Sequence, residues 1–158
     1  SVGDHFAARY RMPMIDTDKE IEAAAGMAIS DIFATRGEEA FRRLETGVLE
    51  KLLKQGGRSV ISVGGGLPLR AENRALLKQL GTVVYLDVLP ETVMERIGAD
   101  VSDRPMLHGS DVMGRIISLL ESRKPYYLEA SHIIVDVNGR DVDDIVEEIH
   151  RRAVDKTC

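Results

Sequence analysis

The stretch Met14-Ile15-Asp16-Thr17-Asp18 decides the fold, because a short apolar run ends there in two carboxylates one residue apart. Ligands of open α/β sheets bind at the carboxyl ends of strands. At a strand-to-helix turn both carboxylates can face one cleft, where one would hold a metal ion and the other a substrate hydroxyl. The alternative is that Asp18 caps a helix beginning near Lys19.

Composition limits the protein class. The chain has 158 residues, 44% of them hydrophobic and 30% charged, which predicts one soluble globular domain over residues 1–158. The net charge of −5 argues against nucleic acid as a partner. No apolar run approaches the roughly 18 residues of a membrane span. The single cysteine, Cys158, excludes an intramolecular disulfide and favours a reducing cytoplasm. We therefore expect a cytoplasmic protein with no membrane partner. A compact domain without an obvious interface stripe also predicts a monomer.

Strand and helix patterns alternate along the chain, which indicates a parallel sheet with helices on both faces. The patterns predict strands over 13–15, 59–63, 82–87 and 133–137, and helices over 2–11, 19–25, 30–35, 38–55, 72–80, 91–97, 112–128 (interrupted near Pro125) and 142–154. Residues 98–110 are polar and without periodicity, as in a lid.

Three consecutive glycines, Gly64, Gly65 and Gly66, follow the strand predicted over 59–63. Glycines leave the backbone amides bare and let a ligand approach closely. The alternative is a tight turn that needs positive φ, which one glycine usually satisfies. Three glycines favour a ligand surface.

Arginines form the other set of candidates. An arginine can grip a carboxylate through two parallel hydrogen bonds. Arg42 begins a predicted helix, and Glu45 can orient it as an (i, i+3) partner or form an ordinary surface pair. Arg104 lies in the predicted lid, where it can meet transferring phosphates; a plain surface loop is the alternative. Arg123 and Arg140 lie at a proline-interrupted helix and a turn, where a solvated charge is the alternative.

Together these segments resemble shikimate kinase over essentially the whole chain. The matching motifs follow in the family's order and spacing: Ile15-Asp16-Thr17-Asp18, Gly37-Glu38-x-x-Phe41-Arg42-x-x-Glu45, Gly64-Gly65-Gly66, Arg104-Pro105-Met106-Leu107 and Arg123-x-Pro125-x-Tyr127. The resemblance implies a three-layer α/β/α fold of the P-loop, nucleoside-monophosphate-kinase-like type, with strand order 2-3-1-4-5. It also implies substrate-binding helices over about 17–55 and a lid over about 98–110.

The same resemblance implies phosphoryl transfer from ATP to the 3-hydroxyl of shikimate with Mg²⁺, in the chorismate pathway of aromatic amino acid biosynthesis. Asp18 would bind the hydroxyls and act on the attacking one. The carboxylate would be held by Arg42 and Arg123, with the backbone of Gly64, Gly65 and Gly66, and Glu45 would support Arg42. Asp16 would act near Mg²⁺, Arg104 at the phosphates, and Arg96 and Arg140 beside the nucleotide.

The family's phosphate-binding loop, Gly-x-x-x-x-Gly-Lys-Ser/Thr, does not occur in the sequence. Ser1-Val2-Gly3 matches the residues just after that loop. We therefore expect a strand and loop of roughly 15 to 20 residues upstream. Two further readings stay open: a gluconate-kinase-like enzyme of the same fold, and a non-catalytic form that holds shikimate but not nucleotide phosphates.

Overall fold

The computed structural model describes residues 1–97 and 111–157. They belong to two compact units, Ser1–Val83 and Val84–Cys158. The predicted lid over 98–110, with Arg104, lies outside the described residues, so its role stays a prediction, as does the assignment of residues 1–158 to a single kinase domain.

The first unit contains two parallel strands and four helices. The strands are β1 (Met14–Asp16) and β2 (Val60–Ser62), and Asp16 lies level with Ser62. A 3₁₀ turn spans Leu67–Leu69. The α-helices are α1 (Val2–Arg9), α2 (Thr17–Ala25), α3 (Ile29–Gln55) and α4 (Ala71–Leu80). The core joins α2 to α3 through a cluster of buried apolar side chains: Ile21, Ile32, Phe41, Val48 and Leu52.

The prediction separates two helices at Gly37, and the structure confirms a break there. Although α3 continues from Ile29 to Gln55, Gly37 has φ 84° and ψ 172°, outside the helical region. Glycine adopts positive φ without a steric penalty, so the chain changes direction there. The part of α3 that follows Gly37 carries Arg42 and Glu45.

The second unit contains β3 (Val84–Asp87) and β4 (Ile133–Asp136), which pair in parallel with Asp87 level with Asp136. Its helices are α5 (Pro90–Ile97), α6 (Val112–Ala130) and α7 (Val142–Thr157). The predicted interruption near Pro125 is wrong, because α6 continues through it. Proline removes one N–H donor, but its fixed φ is compatible with a helix.

The strands thus form two two-stranded parallel sheets, β1-β2 and β3-β4. When β1 to β4 are counted as strands 2 to 5 of the predicted order 2-3-1-4-5, its neighbours 2-3 and 4-5 are the pairs β1-β2 and β3-β4. Both pairs are present. Among the helices of residues 1–97 and 111–157, none combines the length and the apolar composition of a membrane span.

Candidate active site

The carboxyl ends of β1 and β2 bring two loops together. Since Asp16 is level with Ser62, the residues that follow each strand emerge side by side. The backbone N–H of Gly64 donates to Thr17 Oγ1 at 3.2 Å, and Thr17 is completely buried. This bond joins the first glycine of the triplet to the start of α2.

Asp16 begins α2 as its N-cap. Its Oδ1 accepts the backbone N–H of Asp18 at 2.9 Å and of Lys19 at 3.4 Å. The reading of Asp18 as the cap is therefore wrong: α2 starts at Thr17, and the cap is the earlier carboxylate. A cap satisfies N–H groups that lack an intrahelical partner, so Asp18 does not have this task and stays available for a ligand.

Asp18 is half-buried in the first turn of α2. Burial raises the pKa of its carboxyl group, and the negative charges of Asp16 and Glu22 raise it further, while Arg42 lowers it. A carboxylate with a raised pKa accepts a proton more readily than one in water. Asp18 is therefore suited to binding a hydroxyl and taking its proton.

Arg42 and Glu45 form the predicted (i, i+3) pair. Arg42 Nη1 donates to Glu45 Oε1 at 2.8 Å, and Nη2 lies 3.5 Å from the exposed Glu38. Burial lowers the pKa of Arg42, but the hydrogen bond and charge of Glu45 outweigh it, so the pKa rises. Burial also raises the pKa of Glu45, although Arg42 opposes this. The pair is no ordinary surface pair, because Glu45 is 1% exposed.

The glycine loop, Gly64-Gly65-Gly66, makes room for both charged side chains. A Cβ on Gly64 would lie 2.8 Å from Asp18 Oδ1, and one on Gly66 would lie 2.5 Å from Arg42 Nη1. Neither Gly64 nor Gly66 has positive φ, so the tight-turn alternative does not explain these two. The loop runs between a carboxylate and a guanidinium, and its lack of side chains keeps both accessible.

Sequence reasoning missed three buried polar residues behind this site: Thr17, Thr46 and Asn73. The only signal for Thr17 was its place between two candidate aspartates. Thr46 and Asn73 lie 27 positions apart and carry no motif. Only the packing of α3 on α4 brings them together.

Asp16 also lines a cleft of about 380 Å³ at the end of β1, with Ser62, Lys19 and Glu20 among the other walls. Among the described residues, no group of three or more His, Cys, Asp or Glu could hold a metal ion. One or two carboxylates suffice for Mg²⁺ when substrate phosphates and water supply its other ligands. The neighbouring charges of Asp16 and Asp18 fit a cation of this kind.

The second unit carries Arg123 on α6. It is half-buried and, within residues 1–97 and 111–157, forms no ion pair. One turn later Tyr127 packs on Tyr85 of β3, with ring centroids 5.4 Å apart. This contact holds α6 against β3. Because Arg123 forms no ion pair among the described residues, its charge is available for an anion.

Arg140 follows β4. Its Nη1 donates to the carbonyl of Asp136 at 2.8 Å and lies 2.6 Å from Glu148 of α7. The hydrogen bond from Arg140 lowers the pKa of Glu148. Arg96 belongs to α5, and its side chain lies outside the description.

Asn138 is a further residue that sequence reasoning treated only as part of a turn. Its Oδ1 accepts the N–H of Leu89 at 2.8 Å and the hydroxyl of Thr92 at 2.7 Å. Its Nδ2 donates to Asp136 Oδ1 at 2.7 Å. The side chain therefore ties the loop after β4 to the start of α5.

A half-buried carboxylate, an ion-paired arginine and a bare glycine loop lie at the ends of parallel strands in an α/β protein, an arrangement that suits a small anionic polyol. A sequence profile described as "Shikimate kinase" matches residues 1–154. The chain belongs to the shikimate kinase family.

Individual proteins that the chain resembles are shikimate kinases as well. The chain is 42% identical over 150 residues to the shikimate kinase of Symbiobacterium thermophilum, covering 94% of this chain and 86% of that one. It is similar to the structure of Acinetobacter baumannii shikimate kinase in complex with shikimate, with TM-score 0.83, 34% identity, and 98% and 86% of the two chains covered. For the Bacteroides thetaiotaomicron enzyme the TM-score is 0.85 at 30% identity, covering 96% and 89%. These similarities confirm the predicted fold class, a three-layer P-loop α/β/α fold.

Proposed function

We propose that the protein transfers the γ-phosphoryl group of ATP to the 3-hydroxyl of shikimate, giving shikimate 3-phosphate and ADP. The observation that carries this proposal is the placement of Asp18 and Arg42 against the two ends of the glycine loop. Shikimate has hydroxyls on one side of its ring and a carboxylate on the other. A hydroxyl acceptor and a carboxylate clamp on one short loop suit such a molecule.

Arg42 would bind the carboxylate. Glu45 and Glu38 hold its guanidinium before the substrate arrives, so little side-chain entropy is lost on binding. The backbone of Gly65 and Gly66 would lie against the ring. Arg123 is the second cation we assign to the carboxylate, since it is half-buried with no described ion pair.

Asp18 would accept a hydrogen bond from the 3-hydroxyl and orient its oxygen toward the γ-phosphorus. As the new O–P bond forms and the bond to the β-phosphate oxygen breaks, the hydroxyl proton passes to the Asp18 carboxylate. The raised pKa of Asp18 supports this transfer. Positioning and charge neutralisation supply most of the catalysis in phosphoryl transfer.

The nucleotide side of the reaction uses other residues. We propose that Asp16 binds Mg²⁺ through water, using the carboxylate that also caps α2. The bound ion would neutralise charge on the phosphates. Arg104 would contact the phosphates from the lid over 98–110, and Arg96 would lie beside the nucleotide. Arg140 would lie near adenine, with its guanidinium held by Asp136 and Glu148.

The test is ADP release by the full-length protein with ATP, Mg²⁺ and either shikimate, gluconate or no acceptor. Shikimate-dependent ADP release, with a product heavier by one phosphoryl group, supports the proposal. Phosphorylation of gluconate but not shikimate would replace it with the gluconate-kinase-like alternative. Calorimetry covers the non-catalytic alternative: heat with shikimate but none with ATP indicates a binding protein.

We further propose that the protein works as a monomer in the cytoplasm. A lone cysteine at position 158 suits a reducing compartment. Gel filtration with light scattering tests the monomeric state, and the mass of a dimer would refute it.

A further inference from the structure

A buried polar bridge lies behind the glycine loop, and none of the roles above uses it. Thr46 Oγ1 donates to Asn73 Oδ1 at 2.7 Å, and Asn73 Nδ2 donates to the carbonyl of Leu67 at 3.0 Å. Thr46 is 8% exposed and Asn73 is completely buried. Polar side chains are costly to bury unless each group finds a partner. Apolar side chains would join α3 and α4 with fewer constraints. We therefore expect the bridge to have a role beyond joining the two helices.

The first observation is that the bridge completes the anchoring of the glycine loop. Thr17 holds Gly64 at one end through the 3.2 Å hydrogen bond. Asn73 holds Leu67 at the other, and the N–H of Leu67 donates to the carbonyl of Gly64 at 3.1 Å, which closes the turn. Gly65 and Gly66 lie between the two anchors.

The second observation is that the bridge ends on the helix that carries Arg42. Thr46 follows Arg42 by one turn of α3, and Thr46 Oγ1 also lies 3.2 Å from the Arg42 carbonyl oxygen. The loop and the guanidinium are already close, because a Cβ on Gly66 would lie 2.5 Å from Arg42 Nη1. The bridge therefore sets the separation between the loop backbone and Arg42.

We propose that Thr46 and Asn73 are positioning residues, which hold Gly65 and Gly66 at a defined distance from Arg42 and thereby set the affinity for the substrate carboxylate. The effect on shikimate rests on the proposed function. The effect on the loop rests only on the hydrogen bonds of the bridge.

The kinetic test uses variants that change polarity but little of the shape. Thr46→Val removes the hydroxyl, and Asn73→Leu removes the amide. We expect each to raise the KM for shikimate by about tenfold, the loss expected when a hydrogen bond to the substrate carboxylate is weakened. The KM for ATP and kcat should stay within about twofold. Thr46→Ser keeps the hydroxyl and should restore the KM for shikimate.

The double variant Thr46→Val with Asn73→Leu separates positioning from stability. The double variant leaves the same buried group unpaired as Asn73→Leu, the carbonyl of Leu67, because the Thr46 hydroxyl and its acceptor are both removed. We expect its melting temperature to stay near that of Asn73→Leu, while the KM for shikimate stays raised. A KM that returns to the wild-type value along with the melting temperature would overturn the proposal.

Amide hydrogen exchange gives a readout that does not depend on activity. In Thr46→Val the Leu67 amide should exchange at least about fivefold faster, as expected for a weakened local contact. The Leu49 amide, in the middle of α3, is the control for global unfolding and should not change. Unchanged exchange at Leu67 overturns the proposal whatever the substrate. Faster exchange at Leu67 in a protein that does not act on shikimate would refute the proposed function and leave the loop anchoring intact.

Discussion

Arg42 and Glu45 form an ion pair at 2.8 Å in which the Glu45 side chain is 1% exposed and the Arg42 side chain 15%. Such a pair holds its shape because either partner left alone would be a buried, uncompensated charge. The guanidinium is therefore oriented before any ligand binds. The two neighbouring arginines differ in burial, because the side chain of Arg43 is 75% exposed.

The first prediction concerns Arg42→Lys. Lysine keeps the charge but loses the planar fork that grips a carboxylate, so shikimate affinity should fall by about 2 kcal/mol, or roughly 30-fold. Arg42→Ala should weaken binding at least as much, but it also strands Glu45, at a cost of about 3–5 kcal/mol in stability. Isothermal calorimetry measures both affinities.

Arg43→Lys is the matched control for this change. Arg43 forms an exposed pair with Glu39 at 3.7 Å, and exposed pairs contribute little to stability. Shikimate affinity should stay within about twofold of wild type. Equal losses in Arg42→Lys and Arg43→Lys would remove Arg42 from the site.

The second prediction concerns the glycine loop. Gly64→Ala and Gly66→Ala should each lower shikimate affinity, because the new Cβ would displace Asp18 in the first variant and Arg42 in the second. Gly64→Ala should lower kcat more strongly, since it displaces the group that receives the proton. Steady-state kinetics separates the two effects.

Gly47→Ala is the control for the loop variants. A Cβ on Gly47 meets nothing within 4 Å, and the residue lies within α3. Alanine there should stabilise the protein by about 0.5–1 kcal/mol without changing either kinetic constant. If Gly66→Ala changes the kinetic constants as little as Gly47→Ala does, the close approach of Arg42 to the loop does not affect shikimate binding.

The third prediction concerns Asp18→Asn. Because the pKa of Asp18 is raised, chiefly by burial, its ionised form is less stable in the folded protein than in the unfolded chain. The folded state binds the proton more tightly, so this destabilisation is complete above the folded pKa and vanishes below the ordinary value of 3.8. Asp18→Asn should therefore melt above wild type at pH 7, and the difference should shrink as the pH falls toward 3.8.

The same variant should lose turnover by about 10²-fold or more, since asparagine cannot take the hydroxyl proton. Thermal unfolding without nucleotide or metal ions, across pH 4–7, measures the difference in melting temperature between Asp18→Asn and wild type. A variant that is less stable than wild type at pH 7 would show that the Asp18 charge supports the fold instead of the chemistry.

The fourth prediction concerns Arg140→Gln. Loss of the guanidinium should raise the KM for ATP by about tenfold, the loss expected for one well-placed charged group, and leave the KM for shikimate unchanged. Arg151→Gln, an exposed change on α7, is the control. A raised KM for shikimate, or an equal effect of Arg151→Gln, would contradict a specific role of Arg140 at the nucleotide.

The alternation of elements and the residues at strand ends could be predicted because they depend on local periodicity and on glycine. The helix break at Gly37 is one such case, confirmed by φ 84°. The continuation of α6 through Pro125 could not be predicted in this way. Proline weakens a helix by one hydrogen bond, and packing such as that between Tyr127 and Tyr85 can outweigh the loss.

The two aspartates show where sequence reasoning reaches its limit. The motif identified both carboxylates, but the alternative reading placed the helix cap on Asp18 and not on Asp16. Helix α2 begins at Thr17, and this start decides that Asp16 accepts the free N–H groups and leaves Asp18 for a ligand. A shift of a few residues in a helix boundary exchanges the tasks of two identical side chains, and local propensity does not define boundaries that closely.

The sequence by itself determined the family, the parallel strand pairs and the short-range pair of Arg42 with Glu45, since these follow from order and spacing along the chain. The tertiary structure decided which long-range contacts make those residues a site. Gly64 meets Thr17, Gly66 leaves room for Arg42, and Thr46 reaches Asn73 across 27 positions. These contacts depend on the register of β1 against β2 and on the packing of α3 against α4, and both are set by burial of apolar side chains distant in sequence.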